Sequence, residues 1–323
     1  MSTLEPAAGL RARGRIYGLL ARLLLRGVDE EMLGTLRELE WLVPADVGGK
    51  DIDDVLDDLA AAHHRCFHLE LFPYAGVFLD PRARAGACSD QARGYYERVG
   101  FAVRLDELSA DHLGILLSFA CFASAAAGEA LEDGEREIAA RLQQVLAEFF
   151  DALVLSWLPA LVCAAASLAD PYWPGVLRAA LEIVAEHRAS LPGAQEPGAK
   201  LGSGEDILAD PRTGLRRIGE QLLVPSATGL CLTRSDLARL SSVGALPRGF
   251  GSRVLMLDNL LRSAVSYGEL PSLLANLSAL VDARDAQYAE LGTSLGLEAA
   301  LEPWRAALDA TLELIDELAR AAA

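Results

Sequence analysis

The sequence predicts an all-α protein, a helical bundle with an additional C-terminal helical region, and three observations carry that expectation. Apolar residues make up 52% of the 323-residue chain against 23% charged, a balance that excludes a disordered chain and permits a large buried core. Only 14 residues are proline, while alanine and leucine, both strong helix formers, are abundant. Apolar residues recur at helical rather than alternating spacing, and no pair of strands is convincing.

The elements follow in order. In "LRARGRIYGLLARLLL", residues 10–25, Ile16, Leu19, Leu20, Leu23 and Leu24 share one face opposite Arg15 and Arg22, which predicts an amphipathic helix. Helical patterns continue at 29–42 and 51–70. Then "LFPYAGVFLDPRARAGA" breaks the periodicity with Pro73, Gly76, Pro81 and Gly86, as a long structured loop would. Ser89 is placed to cap a short helix through Tyr95 and Tyr96 that Gly100 ends. "SADHL" opens a strongly apolar helix, with Ser109 or Asp111 as the expected N-cap and 16 uncharged residues from Leu113 to Gly128.

Further helices are expected at 134–168 and 174–190, with Pro159 bending or splitting the first. Residues 152–169 are 18 residues without a charge, near the lower limit for crossing a bilayer. Asp151 and Asp170 bound that run and Pro159 sits at its middle, so a buried helix is the better reading. "SLPGAQEPGAKLGSGED", with two prolines and four glycines, reads as a linker. Beyond it lie a capping-box pattern from Thr233 to Asp236 and helices at 251–266, 270–291 and 297–322. The organisation expected is a helical domain over 1–190 with a hinge near 106–112, a linker at 191–206 and a helical extension at 207–323.

With 29 Lys plus Arg against 46 Asp plus Glu, the net charge of -17 opposes nucleic-acid phosphates and favours a basic partner segment. The beginning "MSTLEPAAGLRARGRIYGLL" lacks the apolar run and cleavage site of a signal peptide, which predicts a cytoplasmic protein without stable membrane insertion. Five cysteines, odd in number and without a C-x-x-C pair, fit reduced and mostly buried thiols.

Three clusters are candidates for chemistry. Asp111 and His112 are adjacent, so on a helix their side chains point about 100° apart and cannot easily work on one another as acid and base; a helix start is the plainer role. His64 and His68 lie four apart and share a helical face, but no third ligand is evident and no metal site is expected. "PRGFGSR" sets Gly249 and Gly251 before a helix with Arg248 and Arg253 near, yet lacks the third glycine and preceding strand of a dinucleotide site, leaving a tight helix-entry turn. No G-x-S-x-G, H-E-x-x-H or P-loop is present, so no enzyme class is supported by motif.

"RIYGLLARLLL", "RCFHLELFPYAGVFLD", "GYYERVGF", "SADHLGILLSFACFA" and "EFFDALVLSWLPAL" occur in that order over about residues 10–190. The succession resembles the TorD/DmsD/NarJ group of cytoplasmic chaperones for molybdenum-cofactor reductases. Two positions depart from that group's pattern: Ala110 stands where many relatives have proline, and Gly76 where a serine often stands. Ordinary members end near the point where Leu191 falls, which makes the C-terminal part an extension, similar to that of longer TorD-like proteins with "GFGSR" and "NLLRSA" stretches.

The resemblance implies an all-helical, non-enzymatic chaperone. Its partner would be the apo catalytic subunit of a DMSO-reductase-family molybdoenzyme, held through a twin-arginine signal peptide or N-terminus until the molybdenum cofactor is inserted. It implies client-peptide binding at Phe72, Pro73, Tyr74, Phe78, Asp111 and His112, with Asp111 pairing a client arginine and Phe72, Tyr74 and Phe78 forming an apolar wall. It implies no catalytic residue, no metal and no tightly bound cofactor, a weak GTP or transient molybdopterin guanine dinucleotide contact being the open question. The alternatives are a weak nucleotide-binding or nucleotide-hydrolysing helical enzyme and a permanent scaffold subunit of a reductase complex.

Overall fold

The computed structural model describes residues 5–44, 51–80, 86–103, 108–193, 207–210, 212–242 and 249–322, together with Leu201 and Leu246. Pro81, residues 106 and 107 of the expected hinge, Arg248 and most of the expected linker lie outside the described residues.

The chain runs through α1 (Ala7–Arg26), α2 (Glu30–Leu39) and α3 (Ile52–His64), which passes into a π-helical turn at Arg65–Glu70. There follow α4 (Ala75–Leu79), α5 (Ala87–Val99), α6 (Leu113–Glu132), α7 (Arg136–Leu153), α8 (Leu158–Ala165) and α9 (Tyr172–Ser190). After a 3-10 turn at Ile207–Ala209 come α10 (Leu215–Leu222), α11 (Pro225–Thr228), α12 (Arg234–Ser241), α13 (Arg253–Tyr267), α14 (Leu270–Leu295) and α15 (Glu298–Ala322). Among the described residues there is no strand, only one isolated antiparallel bridge between Tyr74 and His112. The all-α expectation therefore holds.

Local rules explain most boundaries. Gly100, in the left-handed region at φ 74°, ends α5, and Thr233 with Asp236 forms the reciprocal capping box that starts α12. The helical pattern expected over 51–70 is divided between α3 and the wider turn, which Leu71 closes by donating its N–H to Cys66 O at 2.8 Å. Pro159 sits in the first turn of α8, where its missing N–H is harmless, and α7 and α8 meet at 51°. The uncharged run at 152–169 is accordingly not one straight helix. α6 is long and apolar enough to cross a membrane by composition, but it is mostly buried inside the protein.

α6 occupies the centre of the N-terminal half and packs against α1 and α7. Its Leu113, Leu116, Leu117, Phe119 and Ala123 are fully buried, as are Tyr17 and Leu20 of α1 and Phe149 and Phe150 of α7. α9 closes this layer with two polar ties. Arg188 grips Asp151 of α7 with Nε and Nη2 at 2.8 and 2.9 Å, both side chains being nearly buried. His187 Nδ1 lies 3.0 Å from the Tyr17 hydroxyl of α1. Removing one partner of such a buried ion pair strands the other, so the pair fixes how α7 and α9 meet.

The C-terminal helices share their core with this layer. α14 packs on α8 and α9, α11 on α4 and α15, and α12 on the π-helical turn. Trp304 of α15 is fully buried; its indole N–H donates to Ser156 O at 2.9 Å, and its ring lies 6.5 Å from that of Phe78 in α4. Gly229 adopts φ 68°, and a Cβ there would come within 2.4 Å of Trp304 O, so only glycine fits under the indole-bearing helix. Tyr288 and Thr311 complete the seam by donating to Gly229 O at 2.8 Å and Thr228 O at 3.0 Å.

Trp304→Ala is expected to destabilise the chain by about 3–5 kcal/mol, the range for losing a buried aromatic. Chemical denaturation followed by far-ultraviolet circular dichroism should show one transition at a lower midpoint. A curve that splits in two, or no change, would overturn the shared-core account.

Candidate functional site

Four of the six residues singled out from the sequence, Pro73, Tyr74, Asp111 and His112, meet where the chain before α4 crosses the start of α6. Tyr74 and His112 pair as a short antiparallel bridge: Leu113 N–H donates to Pro73 O at 2.8 Å and Ala75 N–H to Asp111 O at 3.1 Å. The Tyr74 and His112 rings meet edge to face at 4.9 Å. Pro73, Asp111 and His112 are buried, and Tyr74 is half-buried.

Asp111 and His112 each serve a different helix start. The first N–H groups of a helix have no partner within it and need an outside acceptor. Asp111 Oδ2 accepts from Gly76 N–H of α4 at 2.8 Å, and His112 Nδ1 accepts from Gly114 N–H of α6 at 3.1 Å. The expectation that Ser109 or Asp111 caps α6 is therefore corrected. His112 is the N-cap, Ser109 offers only its backbone oxygen to His112 N–H at 3.0 Å, and the Asp111 carboxylate is committed to the neighbouring element.

Gly76 makes that commitment possible, since a Cβ there would lie 3.1 Å from Asp111 Oδ2. Among the described residues no lysine or arginine forms an ion pair with Asp111, although the carboxylate is only 5% exposed.

Burial pushes the His112 imidazole down to about 4, the neighbouring Asp111 carboxylate offsetting only part of that effect. A neutral ring is what the cap requires, because Nδ1 must keep its lone pair; the proton is assigned to Nε2 from that hydrogen bond.

Ala110, fully buried, ties the same segment to α5. Its N–H donates to Ser89 Oγ at 3.3 Å and its oxygen accepts from the Tyr96 hydroxyl at 2.7 Å. A proline at 110 would have no N–H for Ser89. Ser89 does not cap α5, as the sequence suggested; Gly86 stands at the N-cap, and Ser89 lies inside the helix facing Ala110. Ser89 and Tyr96 are thus site-supporting residues that sequence reasoning missed. The only signal was the double tyrosine before Gly100.

The two phenylalanines point toward the C-terminal helices. Phe78 is fully buried between Trp157, at 5.2 Å, and Trp304. Phe72 is half-buried, with the Arg253 guanidinium carbon 5.4 Å from its ring centre. Nearby, the Glu70 carboxylate accepts from Ser235 N–H at 3.0 Å and from its hydroxyl at 2.9 Å.

The remaining candidates resolve simply. His64 and His68 stack with ring centres 5.0 Å apart, and among the described residues no group of three or more potential metal ligands converges. Ser252 caps α13 by accepting from Leu255 N–H at 3.3 Å, with Gly251 at φ 111° in the entry turn.

Fold and site together define an all-α protein built around a clamped aromatic loop. Residues 26–163 match the family described as nitrate reductase delta subunit, and over that segment the chain is similar to this family of NarJ/TorD-type chaperones. No curated protein and no solved structure matches the chain.

His112 gives the site a pH signature. Its folded value, about 4, lies below the ordinary 6.5, so the folded state binds fewer protons than the unfolded chain between those values. The stability tied to the neutral ring is complete above pH 6.5 and is lost as pH falls to about 4. His112→Asn keeps a capping acceptor without titrating, so it should flatten the decline across that window by roughly 3 kcal/mol in a urea series. Parallel pH profiles for the two proteins would overturn the buried neutral cap.

Proposed function

We propose that the chain is a cytoplasmic chaperone that binds the apo catalytic subunit of a DMSO-reductase-family molybdoenzyme through its twin-arginine signal peptide or N-terminus. It holds that client until the molybdenum cofactor is inserted, before export or assembly. The observation that carries the reading is the family match over residues 26–163, whose description names a subunit associated with nitrate reductase. The client's cofactor is cargo here, and the chaperone contributes binding and timing.

The chemistry at the crossing supports the same reading. A signal peptide of this kind offers cationic guanidinium groups followed by an apolar segment. Asp111 is a buried carboxylate beside the half-buried Tyr74 ring, without a cationic partner among the described residues. A guanidinium entering there would gain a charge-assisted hydrogen bond in a medium of low dielectric. The net charge of -17 draws a basic segment toward the surface from a distance. Phe72, Pro73, Tyr74, Phe78, Asp111 and His112 are the proposed client-facing region, with Phe78 and His112 holding its shape from behind.

In calorimetry against a synthetic twin-arginine peptide, Asp111→Asn should weaken binding by about tenfold or more, the loss expected for one charge-assisted contact. Tyr74→Ala should weaken it by a smaller factor, and Tyr74→Phe should retain most of the affinity. Unchanged affinity in both Asp111→Asn and Tyr74→Ala, with thermal stability intact, would place the client site elsewhere.

A further inference from the structure

Among the described residues, Arg253 is the one cationic side chain that the C-terminal helices set on an aromatic ring of the proposed client-facing region. It is the first residue of α13, its guanidinium carbon lies 5.4 Å from the Phe72 ring centre, and Nη1 donates to Leu232 O at 3.0 Å. No carboxylate forms an ion pair with it among the described residues; the Phe72 ring, the Leu232 backbone oxygen and a hydrogen bond with the buried Cys231 side chain orient it.

What surrounds Arg253 has the chemical order of the proposed client. The arginine is followed directly by Val254 and Leu255, which are 41% and 48% exposed, and preceded by Phe250, which is 88% exposed. A cation leading into an apolar helix is also what a twin-arginine signal peptide presents.

We infer that the Phe72 ring is a guanidinium subsite and that the chain's own Arg253 occupies it, so that the start of α13 competes with a client arginine for the same aromatic face. The inference rests on the proposed chaperone reading and deepens it by naming the occupant of the resting site. A planar guanidinium suits the position, since it can lie against the ring while its edge donates to Leu232 O. An incoming arginine must first displace Arg253, so apparent affinity is reduced by the fraction of molecules in which the ring is free.

The test uses the full chain and two probes. Arg253→Gln should bind a synthetic twin-arginine peptide roughly three- to tenfold more tightly than the natural sequence, the gain from removing one ring contact and the hydrogen bonds of the competitor. Adding Phe72→Leu to that variant should cancel the gain, and Arg253→Lys, which lacks the planar fork, should move affinity in the same direction by less. L-Arginine amide at millimolar concentration should raise the melting temperature of Arg253→Gln but not of Arg253→Gln with Phe72→Leu.

Equal peptide affinity with and without Arg253, in folded proteins, would overturn the subsite. If no variant binds the peptide yet arginine amide stabilises Arg253→Gln through Phe72, the subsite stands and the chaperone reading fails. If neither probe responds, both fail. Should Arg253→Gln not fold, the Arg253→Lys comparison decides alone.

Discussion

The crossing at Asp111 and His112 is the constraint on which the rest of the site depends. Two helices begin there, and each brings N–H groups that burial would leave without partners. Asp111 lies in the turn that His112 N–H closes on Ser109 O, while His112 itself is extended, and from this corner the two side chains reach different helices. Asp111 turns to Gly76 and His112 to Gly114, while Leu113 and Ala75 exchange backbone hydrogen bonds with Pro73 and Asp111 across the bridge. The adjacency that forbids mutual acid–base work is the property that makes the junction possible. Moving either residue by one position would leave a buried donor unsatisfied, at about 1–3 kcal/mol each.

The C-terminal helices act on this junction from its far side. Trp304 presses on Phe78, which stands just beyond the Gly76 turn, and Glu70, at the entrance to the same loop, accepts both donors of Ser235. The loop from 70 to 79 is therefore held at both ends by α12 and α15 and in its middle by α6. An aromatic loop fixed in this way costs little conformational entropy when something binds to it, because its side chains are already ordered. It also means that changes in the C-terminal helices reach the loop through packed side chains.

Much of the fold was legible in the sequence because it rests on local rules. Helical periodicity located the long elements, the Thr233 to Asp236 capping box formed as written, Gly100 stopped α5, and Pro159 divided α7 from α8. The site was legible as a neighbourhood but not as a set of roles. Aspartate is the stronger N-cap by propensity, so Asp111 was the natural expectation for α6, and only the approach of Gly76 from another part of the chain reassigns it. The same holds for Ser89, whose partner Ala110 is a tertiary neighbour, and for Phe78, whose burial depends on Trp304. Local patterns report on the residues next to them; long-range hydrogen bonds leave no trace in spacing.

Asp111 illustrates how far burial and charge constrain function. A carboxylate taken out of water loses several kcal/mol of hydration unless donors replace it, and a backbone N–H replaces only part of that loss. Gly76 N–H, at 2.8 Å, is the donor that meets the carboxylate from α4. In the proposed client-binding role this carboxylate would accept a cation, and in a chain of net charge -17 the long-range field adds to that attraction rather than opposing it. Selectivity then falls to shape: a guanidinium can donate to the carboxylate and stack on a ring at once, whereas an ammonium offers a point charge and no planar face. An acid buried at a junction of aromatic side chains thus favours arginine over lysine on geometric grounds, independently of which protein presents it.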